Sequence, residues 1–184
     1  MRVIAGTLKG HRLKSPGMAT RPMTDRMKES LFSALGEVKG LKVLDLYAGS
    51  GSLGLEAISR GAKKSIFVEK EREAIVKLEA NIESTKTGRK TDVWWSDVPS
   101  SIGRHSDERY DLVFLDPPYG HSATSVQQDL EAIVMGGWLG DDGRIVVHRP
   151  AKDGRIRPLG LQLMWDREYG QSKVLVFTHE EEEE

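Results

Sequence analysis

Hydrophobic residues follow two spacings along most of the chain. Short apolar runs predict five strands, at 41–49, 65–70, 91–98, 110–118 and 143–150. Apolar residues three or four positions apart predict helices at 24–35, 53–60, 71–84 and 124–138. Thr24 or Asp25 is suited to be the N-cap of the first helix. Because strands and helices alternate, the pattern predicts an α/β fold, doubly wound, with a mostly parallel sheet and helices on both faces.

The two ends of the chain depart from this alternation. Residues 1–6 and 11–15 predict two short extended pieces joined by a turn, which we interpret as a hairpin arm over 1–22. Beyond Pro150, segments 161–168 and 172–179 predict two antiparallel strands. The main domain is therefore expected over 23–179, followed by an acidic tail over 180–184.

Composition excludes several classes of protein. Hydrophobic residues make up 38% and charged residues 30%, a balance typical of a soluble globular domain, and no apolar run approaches the ~20 residues of a membrane span. The N-terminus lacks the apolar core of a signal peptide, so we expect a cytoplasmic protein. Cysteine is absent, which excludes disulfides and thiolate chemistry. The five histidines lack metal-ligand spacing, so no metal is expected.

The net charge of −1 hides an uneven distribution. Residues 1–30 hold seven Lys and Arg against Asp25 and Glu29, whereas residues 180–184 are five glutamates. The basic segment fits a phosphate-binding arm, and it fits an ordinary solvated surface equally well. The tail is expected to be disordered because its like charges repel, unless it is a remnant of cloning.

A glycine-rich loop follows the first predicted strand of the sheet. The stretch "DLYAGSGSLG" contains Gly49-x-Gly51-x-x-Gly54. Glycines let a backbone approach a ligand closely, and the next helix offers free N–H groups at its N-terminus. Alone this dinucleotide-type pattern is a weak signal.

Acidic residues end the next two predicted strands. Glu69 comes 24 residues after Asp45, near the offset of about 20 at which an acid binds ribose hydroxyls. Asp97 ends the third strand, where a carboxylate accepts from an adenine amino group or simply caps a helix or turn. Glycine loop and acids together predict a nucleoside-containing cofactor, without separating NAD from S-adenosylmethionine.

The corner formed by Asp116, Pro117, Pro118 and Tyr119 favours S-adenosylmethionine over NAD as the cofactor. An exocyclic amine is a poor nucleophile because its lone pair is delocalised into the ring. The Asp116 carboxylate and the Pro117 carbonyl would accept its two hydrogens and direct the lone pair at a methyl donor, while Tyr119 stacks on an extruded base. Hydride transfer has no use for such a corner. The alternative is a plain strand-terminating turn.

These residues resemble a known family. "DPPY" resembles the motif of amino-directed methyltransferases, which act on adenine N6, cytosine N4 or guanine N2, and "DLYAGSGSLGLEA" resembles their S-adenosylmethionine loop. "RVIAG", "TRP" at 20–22 and "TDRMKESLF" resemble the bacterial 16S rRNA (guanine-N2)-methyltransferase family. The resemblance covers nearly the whole chain. It implies a Rossmann-like class I S-adenosylmethionine-dependent methyltransferase sheet with an N-terminal β-hairpin arm.

The resemblance also implies an activity and its residues. The activity is methylation of one guanine N2 in the 16S rRNA of an assembling small ribosomal subunit, by a monomer. The catalytic positions are Asp116, Pro117, Pro118 and Tyr119. The cofactor positions are Asp45, Tyr47, Ala48, Gly49, Ser50, Gly51, Glu69, Lys70, Asp97 and Val98, with Glu69 at the ribose and Asp97 and Val98 at the adenine. The RNA-binding positions are Arg2, Lys9, Arg12, Arg21 and Arg26.

One position departs from the family pattern, and other functions stay open. His148 stands at the end of the fifth predicted strand, where the family has a glutamate, which puts the target or its affinity in question. The alternatives are a DNA or RNA adenine-N6 methyltransferase and a non-catalytic RNA-binding assembly factor. An NAD-linked oxidoreductase fits least, because no substrate domain is apparent.

Overall fold

The computed structural model describes residues 1–17 and 22–183. The helices are α1 (Asp25–Leu35), α2 (Ser52–Ser59), α3 (Arg72–Thr85), α4 (Val98–Ile102) and α5 (Ala123–Met135). The strands are β1 (Lys42–Leu46), β2 (Lys64–Glu69), β3 (Thr91–Trp95), β4 (Tyr110–Leu115), β5 (Leu139–Pro150), β6 (Leu161–Tyr169) and β7 (Ser172–His179). Within these ranges, no helix is both long enough and apolar enough to cross a bilayer.

All seven strands form one sheet in the order β3-β2-β1-β4-β5-β7-β6. Strands β1 to β5 run parallel, and β7 pairs antiparallel with both β5 and β6. The predicted doubly wound architecture and the antiparallel final pair are confirmed. The strand order reverses between β1 and β4, the position at which such sheets bind ligands.

Helices cover both faces of the sheet because its central strands are apolar on both sides. One face packs against α1 and α2, where Phe32 and Leu31 meet Phe114 of β4, and α3 extends this layer. The opposite face packs against α4 and α5, where Val126 and Leu130 of α5 lie in one cluster with Val113 and Leu115 of β4. The core therefore lies in two layers separated by the sheet.

Several boundaries differ from the sequence prediction: β1, β3 and β4 each end three residues earlier than predicted, and the chain around Gly137 differs as well. Helix α5 ends at Met135 rather than at 138, because Gly137 turns the chain with a φ of +69°. Strand β5 then begins at Leu139, four residues before the predicted start, while the Trp138 indole is buried and donates to the Arg104 carbonyl at 3.0 Å. Helix α4 was not predicted, since five residues are too few to show a helical period.

The N-terminal segment packs on the domain. Arg2 and Arg12 form a single antiparallel bridge, so the hairpin is held by a few backbone bonds rather than by two full strands. Val3 and Leu13 are buried in a cluster with residues of α2 and α3. The segment thus contributes to the core, and its role as an RNA-binding arm stays a prediction.

A buried glutamate on α2 holds this segment in place. The Glu56 carboxylate accepts from the backbone N–H of Ile4 at 2.8 Å and of Ala5 at 3.2 Å, and from Arg60 Nε at 3.0 Å. The Lys28 ammonium lies 3.7 Å from the same carboxylate, and both side chains are almost fully buried. Burial lowers the pKa of Lys28, and the Glu56 charge opposes that shift.

Replacing Glu56 tests how far the fold depends on this anchor. We expect Glu56→Ala to lower the free energy of unfolding by about 3–5 kcal/mol, because it leaves the buried Lys28 charge uncompensated and two backbone N–H groups without their acceptor. Glu79→Ala is the matched control, an exposed glutamate on α3 whose loss should change stability by less than about 0.5 kcal/mol. Urea unfolding of both variants measures the difference. Equal stabilities would contradict the anchor.

Candidate active site

A cavity of about 710 Å³ opens at the carboxyl ends of the parallel strands. Four segments at strand ends supply most of its wall: 47–50 after β1, 69–74 from the last residue of β2, 96–99 after β3 and 116–119 after β4. Pro16, Pro22 and Met23 from the N-terminal part of the chain also border it. The parallel register places these strand ends at one edge of the sheet. The residues that the sequence singled out at four separate places are therefore brought together.

Most of the predicted cofactor positions border the cavity. The wall contains Tyr47, Ala48, Gly49, Ser50, Glu69, Lys70, Asp97 and Val98. Asp45 and Gly51 are not part of the wall. Asp45 is buried beneath the loop, and its Oδ2 accepts from the Gly54 N–H at 2.9 Å. Its position favours holding the loop on the sheet over touching a ligand, and its predicted cofactor contact stays a prediction.

The three glycines of the loop have different reasons to be glycine. Gly51 has a φ of +85°, and a Cβ there would lie 2.4 Å from Leu78 Cδ1 of α3. A Cβ on Gly54 would lie 2.4 Å from the Phe67 ring, so a side chain would push α2 away from the sheet. Only Gly49 borders the cavity. Close packing, more than ligand approach, therefore accounts for the second and third glycines of the motif.

Glu69 ties the end of β2 to the loop after β1. Its Oε1 accepts from the Gly49 N–H at 3.0 Å, and its Oε2 accepts from the N–H groups of Lys70 at 2.7 Å and Glu71 at 2.9 Å. These bonds fix the carboxylate in the cavity wall. Because a carboxylate offers about four acceptor sites, the side chain retains capacity for a ligand hydroxyl.

Asp97 combines two of the roles that the sequence suggested. It is the N-cap of α4, with Oδ1 accepting from the Ser100 N–H at 2.9 Å and Oδ2 from the Ser100 hydroxyl at 2.8 Å. These hydrogen bonds lower the pKa of the Asp97 carboxyl. The residue also borders the cavity, so capping orients a carboxylate beside the space that a ligand would fill.

The proline corner borders the cavity next to the loop, because β4 pairs directly with β1. Asp116 follows β4 directly, and the chain then turns, with the His121 N–H donating to the Pro118 carbonyl at 2.9 Å. The Tyr119 hydroxyl lies 2.5 Å from Ser172 Oγ at the start of β7. His148 Nδ1 lies 2.9 Å from Asp116 Oδ1. The corner is therefore both a turn and a rigid part of the cavity wall.

A polar cluster beside the loop was missed by the sequence analysis. Tyr47 has a φ of +57°, a conformation uncommon for a side chain of this size, and its hydroxyl donates to Asp129 Oδ2 at 2.5 Å. The hydroxyl also lies 3.2 Å from His121 Nε2. Burial raises the pKa of both Tyr47 and Asp129. The sequence did contain one indication of this cluster. Asp129 comes three positions after Val126 and therefore places a carboxylate on the otherwise apolar face of α5.

The predicted RNA-binding residues lie on different parts of the surface. Arg2 Nε pairs with Asp25 at 2.9 Å, and Arg12 borders a groove on α3. Arg26 is exposed on α1 and borders a groove shared with Arg167 of β6. Lys9 is exposed in the N-terminal turn, and Arg21 lies outside the described residues.

A metal site is not evident in the described part of the chain. Across residues 1–17 and 22–183, no three His, Asp or Glu side chains gather in a group that would hold an ion.

Comparison with known proteins identifies the class and then the family. The sheet order and the cavity at its switch point define a Rossmann-like α/β fold of the methyltransferase class. A family model described as "Conserved hypothetical protein 95" matches residues 1–178. The chain belongs to this family, that of the ribosomal RNA small subunit methyltransferase D proteins.

Individual relatives are similar to this protein over most of its length. YlbH of Bacillus subtilis is 34% identical over 186 residues, covering 96% of this chain and 98% of its own length. The Ribosomal RNA small subunit methyltransferase D of Escherichia coli K12 is 34% identical over 158 residues, covering 84% of this chain and 77% of its own. The solved structure of yhhF from Escherichia coli superposes with a TM-score of 0.86 at 30% identity, covering 98% of both chains.

The buried Asp45 carboxyl gives a prediction on pH. Burial raises its pKa well above the usual 3.8, the Asp116 and Glu69 charges add to the shift, and the Gly54 N–H opposes it. The folded protein therefore keeps this proton to higher pH than the unfolded chain, so the free energy of unfolding falls as pH rises from about 4 towards the folded pKa. Asp45→Asn keeps an acceptor for Gly54 and cannot ionise, so its stability relative to wild type should rise over that range.

Urea unfolding of Asp45→Asn from pH 4 to pH 9 checks this sign. Asp97→Asn is the control of opposite sign: its carboxyl has a lowered pKa, so its loss should reduce stability at neutral pH and matter little in acid. A stability difference between Asp45→Asn and wild type that does not change with pH would show that the buried carboxyl is not penalised.

Proposed function

We propose that this protein transfers a methyl group from S-adenosylmethionine to the exocyclic N2 of a guanine in the 16S rRNA of the small ribosomal subunit. The observation that carries the proposal is the shared cavity: the Asp116 corner and the Gly49 loop, which follow the neighbouring strands β4 and β1, both border it. The family supplies the substrate class, since a 34% identical member is named a small-subunit rRNA methyltransferase.

The cavity fits the proposed cofactor in size and in chemistry. A volume of about 710 Å³ lies within the ~300–1,000 Å³ typical of ligand pockets. Glu69 offers a fixed carboxylate for ribose hydroxyls, and Asp97 and Val98 offer a polar and an apolar contact for an adenine. When bound, S-adenosylmethionine supplies the electrophilic methyl group. The surrounding residues bind it and orient the amine.

Asp116 and Pro117 would prepare the amine for reaction. The guanine N2 is nearly planar, and two acceptors placed at its hydrogens turn its lone pair towards the methyl donor. The Asp116 carboxylate and the Pro117 carbonyl supply such acceptors on a backbone whose φ angles at 117 and 118 are restricted by the proline rings. As the new N–C bond forms, the methyl–sulfur bond of the donor would break, and the Asp116 carboxylate would accept the proton that the nitrogen gives up.

Tyr119 would hold the target base outside its RNA helix. Its hydroxyl contact with Ser172 fixes the phenol ring beside the cavity. An enzyme that modifies a base edge must extrude that base from the stack, and an aromatic ring compensates for part of the lost stacking. The corner would therefore supply both acceptors and a stacking surface.

Transfer of labelled methyl from S-adenosylmethionine to purified small-subunit particles tests the proposal. Nucleoside analysis of the rRNA should find the label in N2-methylguanosine. Label in N6-methyladenosine would support the same mechanism with adenine, and not guanine, as the target base. Cofactor binding without any transfer to particles or to free 16S rRNA would favour the non-catalytic assembly factor.

Replacing Asp116 tests its proposed role directly. Asp116→Ala should lower the transfer rate by about 10²- to 10³-fold, because the amine loses an acceptor that stabilises the transition state. The dissociation constant of S-adenosylmethionine, measured by calorimetry, should change by less than about threefold. Glu108→Ala, an exposed acid before β4, is the control for loss of one negative charge. Undiminished turnover in Asp116→Ala would overturn the assigned role.

Neutralising Arg26 tests the RNA-binding surface. Arg26→Gln should weaken binding of 16S rRNA fragments and reduce the slope of log K against log salt by about 0.7, the value for one phosphate contact to a single strand. Arg109→Gln removes the same charge at a distant surface position, where Arg109 pairs with Asp141, and should leave the slope unchanged. Filter binding at several salt concentrations gives both slopes. Identical slopes for the two variants would place Arg26 outside the interface.

A further inference from the structure

His148 lies directly beside the proposed catalytic carboxylate. Strand β4 pairs with β5 so that Leu115 is opposite Val147, which places the next residues, Asp116 and His148, side by side on one face of the sheet. His148 is 1% exposed, and its Nδ1 lies 2.9 Å from Asp116 Oδ1. The contact therefore follows from the register of two central strands and not from a flexible loop.

The surroundings of the ring determine which nitrogen carries the proton. An ionised carboxylate only accepts hydrogen bonds, so the Nδ1 that faces Asp116 must be the donor. Nε2 is buried without a hydrogen-bond partner among the described residues. A buried lone pair without a donor costs less than a buried, unpaired N–H of an imidazolium ion. A neutral ring with its proton on Nδ1 agrees with the surroundings of both nitrogens: Nδ1 donates to Asp116, and Nε2 carries no proton that would need an acceptor.

The same ring also supports the aromatic member of the corner. The centroids of the His148 and Tyr119 rings are 5.9 Å apart at an interplanar angle of 67°, an edge-to-face arrangement. Tyr119 is held from the other side by its hydroxyl contact with Ser172. His148 thus contacts the acceptor and the stacking residue, the two side chains of the corner that would meet the base.

We propose that His148 is a positioning residue, which holds Asp116 by its Oδ1 so that Oδ2 is presented to the amino group of the substrate. This inference rests on the proposed function, because it concerns the amine that Asp116 would bind. A neutral donor fixes the carboxylate without neutralising its charge, so the remaining oxygen keeps its strength as an acceptor. The second amino hydrogen is left to the Pro117 carbonyl, which gives one acceptor for each hydrogen.

Two substitutions separate positioning from packing. His148→Phe keeps a buried ring and removes the donor, so kcat should fall about 10- to 100-fold, the effect of a small misplacement of a reacting group. The KM for rRNA and the dissociation constant of S-adenosylmethionine should stay within about threefold. His148→Asn places an amide N–H at the position of Nδ1 and should restore kcat to within about fivefold of wild type.

The opposite pattern would overturn the proposal. If His148→Phe kept its kcat, or if His148→Asn were as slow as His148→Phe at equal thermal stability, the histidine would only fill space. Thermal melting of both variants identifies a loss that comes from misfolding.

A spectroscopic measurement on the wild-type chain tests the geometry without any activity. Long-range ¹H–¹⁵N NMR of the histidine rings should find His148 protonated at Nδ1 alone at neutral pH. In Asp116→Ala this preference should disappear, because the acceptor is gone. A ring protonated at Nε2 in the wild-type chain would overturn the proposal. This readout stands even if the protein methylates a different base, so failure of the proposed function and failure of the inference can be told apart.

Discussion

The site depends on where four parallel strands stop. The pairing of β1 with β2 and β4, and of β2 with β3, brings the ends of these strands to one edge of the sheet. A shift of one residue in β4 would move Asp116 to the other face, since side chains alternate along a strand. Phe114 packs against Phe32 in one helical layer and Leu115 lies in the other, so such a shift would exchange side chains of different shape between two closely packed layers. Core packing therefore fixes the chemistry of the cavity wall.

Helix α2 links this wall to the N-terminal segment. Its first turn follows the loop that carries Gly49 and Gly51, and the absence of a side chain on Gly54 lets it lie against Phe67. Further along the helix, Glu56 and Ser59 bind the backbone of residues 4–8. The loop and the N-terminal segment are thus attached to the same short helix. Asn81 of α3 also bonds both Lys14 and Ser50, and Pro16 borders the cavity, so the segment is joined to the cavity through two helices and by direct contact.

Much of the fold could be predicted from the sequence because its strands are long apolar runs that end in polar residues. Gly49, Glu69, Asp97 and Asp116 were all found at strand ends, and the structure places them around one cavity. The N-cap role of Asp97 was foreseen only as an alternative, because a five-residue helix leaves no periodic signal. The spacing of apolar residues indicates where a strand ends, but it does not reveal a short helix such as α4 that begins a few residues later.

Contacts between elements that are distant along the chain could not be predicted from the sequence. The neighbourhood of Asp116 and His148 requires the pairing of β4 with β5, and the contact of Tyr47 with Asp129 requires α5 to pack over the first loop. Asp45 was predicted to contact a ligand on its match to the family motif, whereas burial beneath the loop gives it a structural bond to Gly54.

Strand β7 has a consequence for the order in which the protein matures on the ribosome. It lies between β5 and β6, pairs Val174 with His148, and supplies the Ser172 hydroxyl that contacts Tyr119. A nascent chain that ends before residue 172 leaves β5 with an open edge, and such edges favour pairing with other chains. The site is therefore complete only after β7 has been synthesised, so a shorter nascent chain lacks both the pairing of β5 with β7 and the contact that fixes Tyr119.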